Sequence, residues 1–431
     1  MKKTPICILL LLAAAIMASA QTGSKSPYSQ YGLGTLADQS QGFSRGMNGV
    51  GIGLRRGNIA NTLNPAAYSA IDSLTMIFDV AMAGHVTNYK EQGVSVNAKG
   101  ASFEYLVGTF RLRKNVGMTF GILPYSDIDY EYTTSQFLDN TNGTITEQYT
   151  GTGGLHQAVL GIGARVLEPL SLGINVAYLW GKQDKTVASS STTYINSLSK
   201  NYYALINTYN IQLGAQWEQP LSRNDMLTVG ATVGIGHTLN ANANCMILNT
   251  NSSTNVRDTT TFSVDNAFSL PWTYAIGLGL THKESLFVGA DVTLQKWGST
   301  DYPDYDAAQG RYVKMGGLLR DRWKVNVGAD YVPNAMSRRY FSRVHYRMGA
   351  AIATPYYKIN SQDGPKELSI SAGFGLPLQN SWNTRGNMRP VLNISAQWGH
   401  TAAEGLITEN AFRINVGLTF NERWFAKWKV N

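Results

Sequence analysis

Apolar and polar residues alternate with a period of two in ten segments of the chain, each about as long as a membrane-crossing strand. In the segment 209–217, for example, Tyr, Ile, Leu, Ala and Trp take the odd positions, while Asn, Gln and Gly take the even ones. Successive side chains of a strand point to opposite faces, so one face suits lipid and the other a polar lumen. The other nine segments are 172–180, 227–235, 272–280, 286–294, 323–331, 344–352, 368–376, 392–398 and 412–420.

Less regular alternation near 74–83, 100–112, 115–123 and 156–165 brings the count to fourteen strands. An even number of strands returns both ends of a barrel to the same side of the membrane. After the first twenty residues there is no stretch of about 18 apolar residues, so a helical span is ruled out on length. We therefore predict an all-β fold, a transmembrane antiparallel β-barrel of about 14 strands with an N-terminal plug. A soluble β-sandwich is the alternative.

Composition favours the barrel over the sandwich. Only 15% of the residues are charged, against roughly 25% in soluble domains. Several tryptophans, including Trp297, stand at predicted strand ends, where an interfacial aromatic belt is expected.

The predicted connections alternate between short and long, as the two sides of an outer-membrane barrel require. Short turns are expected near 114, 167–169, 220–225 and 283, and long external loops at 124–155, 182–206, 238–270 and 299–320. The later turns, 332–343 and 377–389, are longer than the rule predicts. A miscounted strand pair in that region stays open.

The N-terminus predicts export. Two lysines, an apolar segment 6–17 and the small residues Ala18-Ser19-Ala20 form the pattern of a signal peptide, residues 1–20, cleaved near Ala20. The mature chain then keeps only Cys245 and cannot form an intramolecular disulfide. We expect residues 21–73 to form the plug and residues 74–431 the barrel.

The predicted plug has no strand alternation but carries a run of small residues, 44–53, followed by Asn64-Pro65-Ala66. This combination, just before the first strand, resembles the N-terminal hatch of the FadL/TodX family of outer-membrane hydrophobic-compound channels. The resemblance implies a hatch role for Asn64, Pro65 and Ala66, although a plain turn would use the same residue types. The glycines of the run are Gly46, Gly49, Gly51 and Gly53.

The C-terminal region, 406–412 and then Asn421-Glu422-Arg423-Trp424-Phe425, is similar to the Bacteroidetes branch of this family. The resemblance covers essentially the whole mature chain. It implies a location in the outer membrane of a Gram-negative bacterium.

The resemblance also implies a lateral exit through a distorted third strand. Gly117, Gly121 and Pro124, in and just after the predicted third strand, would allow a bulge or break there. The alternative is that they are ordinary strand glycines and a strand end.

Charged residues on the predicted lumen faces need partners or water. Arg55 and Arg56 of the plug are expected to anchor it to acidic residues of the wall rather than to take part in substrate chemistry. The acidic residues are Asp79, Glu104, Asp291 and Asp330, and the other charged or titratable lumen positions are Lys324, His345, Arg347 and Arg413.

Enzyme chemistry has no support in the motifs. No G-x-S-x-G, H-E-x-x-H, P-loop or Cys/His ligand cluster is present, so we predict no catalytic residue, cofactor or metal site. The run 301–306, Asp-Tyr-Pro-Asp-Tyr-Asp, lacks the spacing and glycine of a calcium loop. The basic excess, +8 for the whole chain, suits anionic lipid and lipopolysaccharide, and no nucleic-acid partner is expected.

Two functions remain. The first is an outer-membrane channel for passive uptake of hydrophobic small molecules, fatty-acid-like or aromatic. The second is a non-transporting accessory barrel that docks other outer-membrane proteins in a secretion or assembly machine. The family resemblance favours the channel. The predicted loops 139–154 and 183–200 are rich in Thr, Ser, Asn and Gly rather than apolar residues, which argues against a fatty-acid cargo.

Overall fold

Fourteen antiparallel strands close into a barrel in the computed structural model, which describes residues 25–73, 75–138, 143–194, 196–378 and 390–423. Each strand pairs with the next, and the last pairs with the first from Thr75↔Arg423 to Lys90↔Thr408. The strands are β1 Thr75–Glu91, β2 Val94–Arg113, β3 Val116–Leu138, β4 Gly143–Arg165, β5 Leu170–Ser191, β6 Asn196–Pro220, β7 Asp225–Gly234, β8 Thr273–His282, β9 Leu286–Gln295, β10 Arg322–Tyr331, β11 His345–Ala353, β12 Lys366–Pro377, β13 Val391–Ala402 and β14 Thr408–Arg423.

The predicted fold class and all fourteen predicted strands are confirmed, including the strands on either side of 332–343 and 377–389. The period of two separates the faces as expected. On β8, Ile276 and Leu278 are 62% and 49% exposed on the outer surface, whereas Ala275, which faces the lumen, is buried. Apolar side chains therefore form the outer band, and polar or small side chains line the lumen.

Two predicted loops are wrong. Residues 124–138 and 143–155, and likewise 182–191 and 196–206, continue β3 to β6 as paired strands. Beyond the lipid-facing band a strand needs no apolar outer face, so Thr-, Ser- and Asn-rich chain can extend the ladder without alternation. A further hairpin, Ala243–Asn251 and Arg257–Val264, pairs with the end of β6. We call this end of the barrel the loop end, and the opposite end, with the short connections, the turn end.

The remaining elements are short. One α-helix turn, Gly42–Arg45, and 3-10 turns Pro27–Gln30, Pro65–Ala70, Trp297–Ser299 and Phe341–Arg343 accompany small strands at Thr35–Leu36, His237–Thr238, Ser269–Leu270, Tyr302–Asp306, Arg311–Met315, Lys358–Ile359 and Gln362–Asp363. No helix in the described ranges has both the length and the apolar character to cross a membrane. Trp297, expected in the aromatic belt, is instead fully buried and packs against Tyr356 with ring centroids 4.9 Å apart.

Residues 25–73 occupy the lumen. The segment begins at the loop end, where the Tyr28 hydroxyl donates to the Ile407 carbonyl, and ends at the turn end, where β1 starts. It is not wholly irregular as predicted, because Thr35 and Leu36 form a two-residue strand paired with β3. The buried hydrophobic residues lie between this segment, the barrel wall and the connections at the loop end. The predicted signal peptide and the predicted Trp424-Phe425 end lie outside the described residues.

Candidate functional site: the interface between plug and wall

A row of wall glycines lets the plug backbone lie directly against the barrel. On ten successive strands, β3 to β12, a Cβ added at an inward-facing glycine would lie within 3.1 Å of plug atoms. At Gly328, for instance, it would lie 2.7 Å from Cβ of Met47 and 2.8 Å from its carbonyl oxygen. We call this set the glycine seam, and its members in the described strands are Gly117, Gly161, Gly163, Gly173, Gly214, Gly230, Gly277, Gly279, Gly289, Gly328, Gly349 and Gly373.

Asn64 ties the plug to itself and to the wall. Its side-chain oxygen accepts from the Ala66 N–H at 3.1 Å and so caps the 3-10 turn Pro65–Ala70. Its amide nitrogen donates to the carbonyl oxygens of Ile52 (3.0 Å) and Ala215 of β6 (3.1 Å). Asn64 and Ala66 are fully buried, and the pyrrolidine ring of Pro65 lies against Gly214 of the seam.

Each of the four predicted hatch glycines occupies a crowded or left-handed position. Gly49 has φ +87° and its N–H donates to the Ser44 carbonyl at 2.9 Å, ending the turn Gly42–Arg45. Gly46 would place a Cβ 3.0 Å from the side chain of Arg347, and Gly53 would place one 2.7 Å from the backbone of β8. A larger residue would be strained at Gly49 by its φ and would have to displace its neighbours at Gly46 and Gly53.

Asp291 of β9 binds the plug through backbone donors rather than through an arginine. The N–H groups of Gly51 and Ile52 donate to Oδ2 of Asp291 at 2.6 and 3.0 Å. Asp291 is 3% exposed, so this carboxylate satisfies two backbone groups that water cannot reach.

Arg45, which the sequence prediction overlooked, makes the plug's most buried ion pair. Its Nη1 lies 2.5 Å from Oε2 of Glu104, and the two side chains are 2% and 5% exposed. The pairing of β1 with β2 shifts register at this point, so that Glu104 and its neighbour Tyr105 are both buried in the lumen. The Tyr105 hydroxyl donates to Asp79 at 3.1 Å and accepts from the Gly42 N–H at 2.5 Å. Asp79 therefore contacts a tyrosine, not Arg55 or Arg56.

Asp330 of β10 contacts three basic side chains, two arginines and a histidine. Arg56 of the plug donates to its Oδ2 at 2.9 Å, and Arg347 and His345 of β11 approach its Oδ1 at 3.0 and 2.9 Å. The predicted Arg56 anchor thus has an acidic partner in the wall. The guanidinium carbons of Arg347 and Arg56 lie 4.2 and 5.1 Å from the ring centre of Phe43, which belongs to the plug.

Arg55 pairs with an acid that the sequence prediction did not include. Its Nε lies 2.9 Å from Glu218 at the turn end of β6, and Arg165 of β4 contacts the same carboxylate. Arg55 also donates to the Ala66 carbonyl and to Ser69. It therefore links both halves of the plug to two wall strands.

The wall is interrupted between β2 and β3. Their pairing runs only from Leu106↔Ile122 to Arg113↔Val116, and beyond it β3 continues in register with β4. Pro124, expected just after the strand, lies inside β3 at a bulge between Pro124 and Ser126. On the loop-end side of this bulge, the two-residue strand of the plug pairs with the edge of β3 that β2 leaves unpaired, through Thr35↔Asp127 and Leu36↔Ser126. Gly121 is crowded by β2, where a Cβ would lie 2.7 Å from the Leu106 carbonyl oxygen, and Gly117 belongs to the seam.

Two cavities flank the loop-end half of the plug. One of about 240 Å³ lies between the plug and strands β10 to β14 and β1. Its charged and titratable lining residues are Asp38, His85, Arg322, Lys324, Glu367, Glu409 and Arg413. The other, of about 520 Å³, lies nearer the loop end, and its aromatic lining residues are Tyr31, Tyr130, Tyr202, Tyr203, Phe268, Tyr302, Tyr312 and Tyr357.

The acidic residues around the plug are engaged in holding it. Within the described part of the chain, no group of three or more His, Cys, Asp or Glu residues is placed to bind a metal. The acidic groups of the interface contact arginines, a tyrosine or backbone N–H groups.

The barrel is similar in fold to solved channels. The CymD monoaromatic hydrocarbon channel superposes with a TM-score of 0.58 at 16% identity, covering 92% of this chain and 100% of that one. The Pseudomonas putida toluene transporter TodX gives 0.60 at 14% identity, with 92% and 100% covered. A Pseudomonas aeruginosa FadL homologue gives 0.60 at 12% identity, with 90% and 98% covered.

These identities are low, so the likeness shows a FadL-like barrel fold and no more. No curated protein matches the chain. The model of one protein family, described as BamG, matches residues 1–431. The chain therefore belongs to the BamG family.

Proposed function

We propose that this protein is a non-transporting accessory barrel of the outer membrane, which docks other proteins in a secretion or assembly machine. The observation that carries the proposal is the fixed plug, which lies on glycines of ten successive strands and is joined to the wall by buried ion pairs. Membership of the BamG family favours the accessory role. The turn end would face the periplasm, since short connections lie on that side of outer-membrane barrels.

Displacing the plug would be costly. Separating Arg45 from Glu104 leaves an uncompensated charge at a site that is almost dry, which costs about 3–5 kcal/mol in comparable cases. Withdrawing the segment around Gly51 would also remove both backbone donors from Asp291. A passive channel has no energy source for such a movement other than cargo binding.

The lumen beside the plug also suits water better than a hydrophobic cargo. The cavity of about 240 Å³ is lined by four basic or titratable side chains, including Lys324 and Arg413, and by three acidic ones. An apolar molecule passing through it would strip water from these groups without replacing their hydrogen bonds.

The extended strands offer a surface for protein partners. β3 to β6 and the hairpin 243–264 continue the barrel wall well past the lipid-facing band, as a sheet rich in Thr, Ser and Asn. Such a rigid polar surface suits protein contacts, whose rims are polar and hydrogen-bonded.

Native mass spectrometry tests the proposal. The protein is purified in mild detergent from its own outer membrane, and co-purifying proteins and lipids are identified. We expect a stable protein complex without a stoichiometric small ligand. A stoichiometric hydrophobic ligand without protein partners would contradict the accessory role.

Passive uptake of hydrophobic small molecules is the second candidate, because two features of the loop end favour it. The cavity of about 520 Å³ is lined by aromatic rings, which suit an apolar or aromatic cargo. The interruption between β2 and β3 begins beyond Ile122, so Pro124 of the predicted lateral exit lies beside it, whereas Gly117 and Gly121 lie where β3 is still paired with β2. Lys185 in the same cavity donates to the Gln30 carbonyl at 2.6 Å and so holds the plug, not a ligand.

A further inference from the structure

The connection between β10 and β11, residues 332–344, is an ordered projection at the turn end. Asn334 N–H donates to the Ser342 carbonyl at 2.8 Å and closes it, and its side chain accepts from the Met336 N–H at 3.0 Å. Val332 and Val344 at its two ends are each 2% exposed. The projection therefore holds a fixed shape.

This projection displays apolar side chains where water would be expected. Phe341 is 76% exposed, Met336 69% and Tyr340 41%. The rings of Tyr340 and Phe341 pack edge to face with centroids 5.8 Å apart. An exposed cluster of this kind on an ordered turn indicates a surface that is covered in the native membrane.

The projection lies beside an aromatic row on the lipid-facing surface. Tyr331, Tyr346 and Phe374 are 48%, 36% and 49% exposed, and they are paired neighbours across β10, β11 and β12. The Tyr346 hydroxyl donates to the Phe341 carbonyl at 3.1 Å. Since aromatic rows mark the interface between lipid and water in outer-membrane barrels, Phe341 lies within one hydrogen bond of that interface.

The charge of the projection complements a phosphate layer. Residues 332–344 contain three arginines and no acidic residue. Arg338 and Arg339 are exposed, while Arg343 is buried beneath Tyr340, with its guanidinium carbon 5.6 Å from the ring centre. Exposed arginines next to exposed aromatic rings are the combination that binds anionic lipid surfaces.

We propose that residues 332–344 anchor the barrel in the phospholipid leaflet at its turn end, with Met336, Tyr340 and Phe341 entering the headgroup region and Arg338 and Arg339 binding lipid phosphates. The inference does not depend on whether the barrel transports or docks. On the side of β10 and β11, this anchor would fix how deep the barrel lies in the membrane and how the barrel is rotated.

The depth of residues 332–344 in the membrane is tested with a fluorescent label, in vesicles of phosphatidylethanolamine and phosphatidylglycerol. An environment-sensitive dye is attached to Met336→Cys in the full mature protein, where Cys245 is buried. Val256→Cys is the matched control, because Val256 is 63% exposed but belongs to the loop-end hairpin. We expect headgroup-attached nitroxide lipids to quench the dye at 336 and not the dye at 256.

Phosphate binding is tested by titrating the detergent-solubilised protein with phosphatidylglycerol in native mass spectrometry. Each basic residue at an anionic surface contributes about 1 kcal/mol, which is about fivefold in affinity. We therefore expect roughly 25-fold weaker binding for Arg338→Ala/Arg339→Ala, and no change for Arg257→Ala at the loop end. Unchanged heat-modifiable mobility verifies that each variant is a folded barrel.

Equal quenching at positions 336 and 256, or equal phosphatidylglycerol binding by the double variant, would overturn the proposal. A dye at 336 that is shielded in native outer membrane but not in pure lipid vesicles would identify a protein partner on this turn and would overturn it as well.

Discussion

Arg45 and Glu104 are charged residues inside a barrel, and each is tolerated because it neutralises the other. With Glu104→Gln, the Arg45 guanidinium stays buried at a site 2% exposed without the carboxylate that it contacts. We expect a loss of about 3–5 kcal/mol in the free energy of unfolding, measured by denaturant titration in detergent. The double variant Arg45→Met/Glu104→Gln removes both charges and should recover much of the loss. Equal losses for the single and double variants would show that the pair does not couple plug and wall.

The glycine seam leads to a second prediction at the residue scale. Gly349→Val places side-chain atoms on the backbone of Met47, and overpacking of this kind costs about 1–3 kcal/mol. The matched control is Gly399→Val, another glycine of the wall, where the nearest neighbour of an added Cβ is 4.0 Å away. We expect the first variant to lower the midpoint of thermal unfolding and expose the plug to protease, and the second to do neither. Similar behaviour of both variants would contradict a seam that holds the plug.

Individual residues were the hardest to predict from the sequence. Arg56 and Asp330 were assigned to the correct sides of the interface, since the lumen acids are visible in the alternation and the plug cations lie in the segment that lacks it. Arg45 and Glu218 were not predicted as members of ion pairs. Such pairs depend on the position that the irregular plug takes inside the barrel, and the periodicity of the sequence carries no information on that position. The seam did leave a signal, because Gly214, Gly230, Gly277 and Gly279 all fall on inward-facing positions of predicted strands. Repeated glycine on one face indicates close approach of another backbone.

At the scale of elements, the segment around Asp38 makes the plug sensitive to acid. Burial alone would raise the pKa of the Asp38 carboxyl, but the positive charges of Arg45 and Lys324 and a hydrogen bond from the Ser40 N–H lower it from 3.8 to about 2. A group with a depressed pKa contributes stability above its ordinary value and loses that contribution as the pH falls toward the depressed one.

We therefore expect the amide protons of residues 38–53 to lose protection from exchange as the pH falls from about 4 to about 2. Hydrogen exchange with mass spectrometry follows this directly. Asp38→Asn removes the titrating group, so its plug should be less protected above pH 4 and show less change across the window. An identical pH dependence in that variant would assign the effect to another carboxyl.

Strands were predicted well in position and poorly in length. Lipid on one side and a polar lumen on the other imprint alternation on each crossing segment, so all fourteen crossings are visible in the sequence. Beyond the lipid-facing band the sequence no longer has to alternate. The loop-end parts of β3 to β6 therefore resemble loops in composition, although they are paired strands. Pro124 marks the change, because it stands at the bulge where β3 parts from β2.

At the scale of the whole molecule, the same architecture is compatible with a channel and with a docking scaffold. The two functions differ in one requirement: the plug of a channel must move, and the plug of a scaffold need not. The pair Thr35↔Asp127 joins the plug strand directly to the edge of β3. Paired residues on antiparallel strands lie within the reach of a disulfide. A cross-link at this point fixes the plug without altering the outer surface.

We expect oxidised Thr35→Cys/Asp127→Cys to retain its co-purifying proteins, because docking does not require the plug to move. Toluene, the compound named for the structurally similar transporter TodX, serves as the probe of transport in proteoliposomes. The proposed accessory role predicts no uptake above empty vesicles in either the oxidised or the reduced state, with the single-cysteine variants as controls for the substitutions. Uptake that oxidation abolishes and reductant restores would instead establish a channel whose plug opens next to β3.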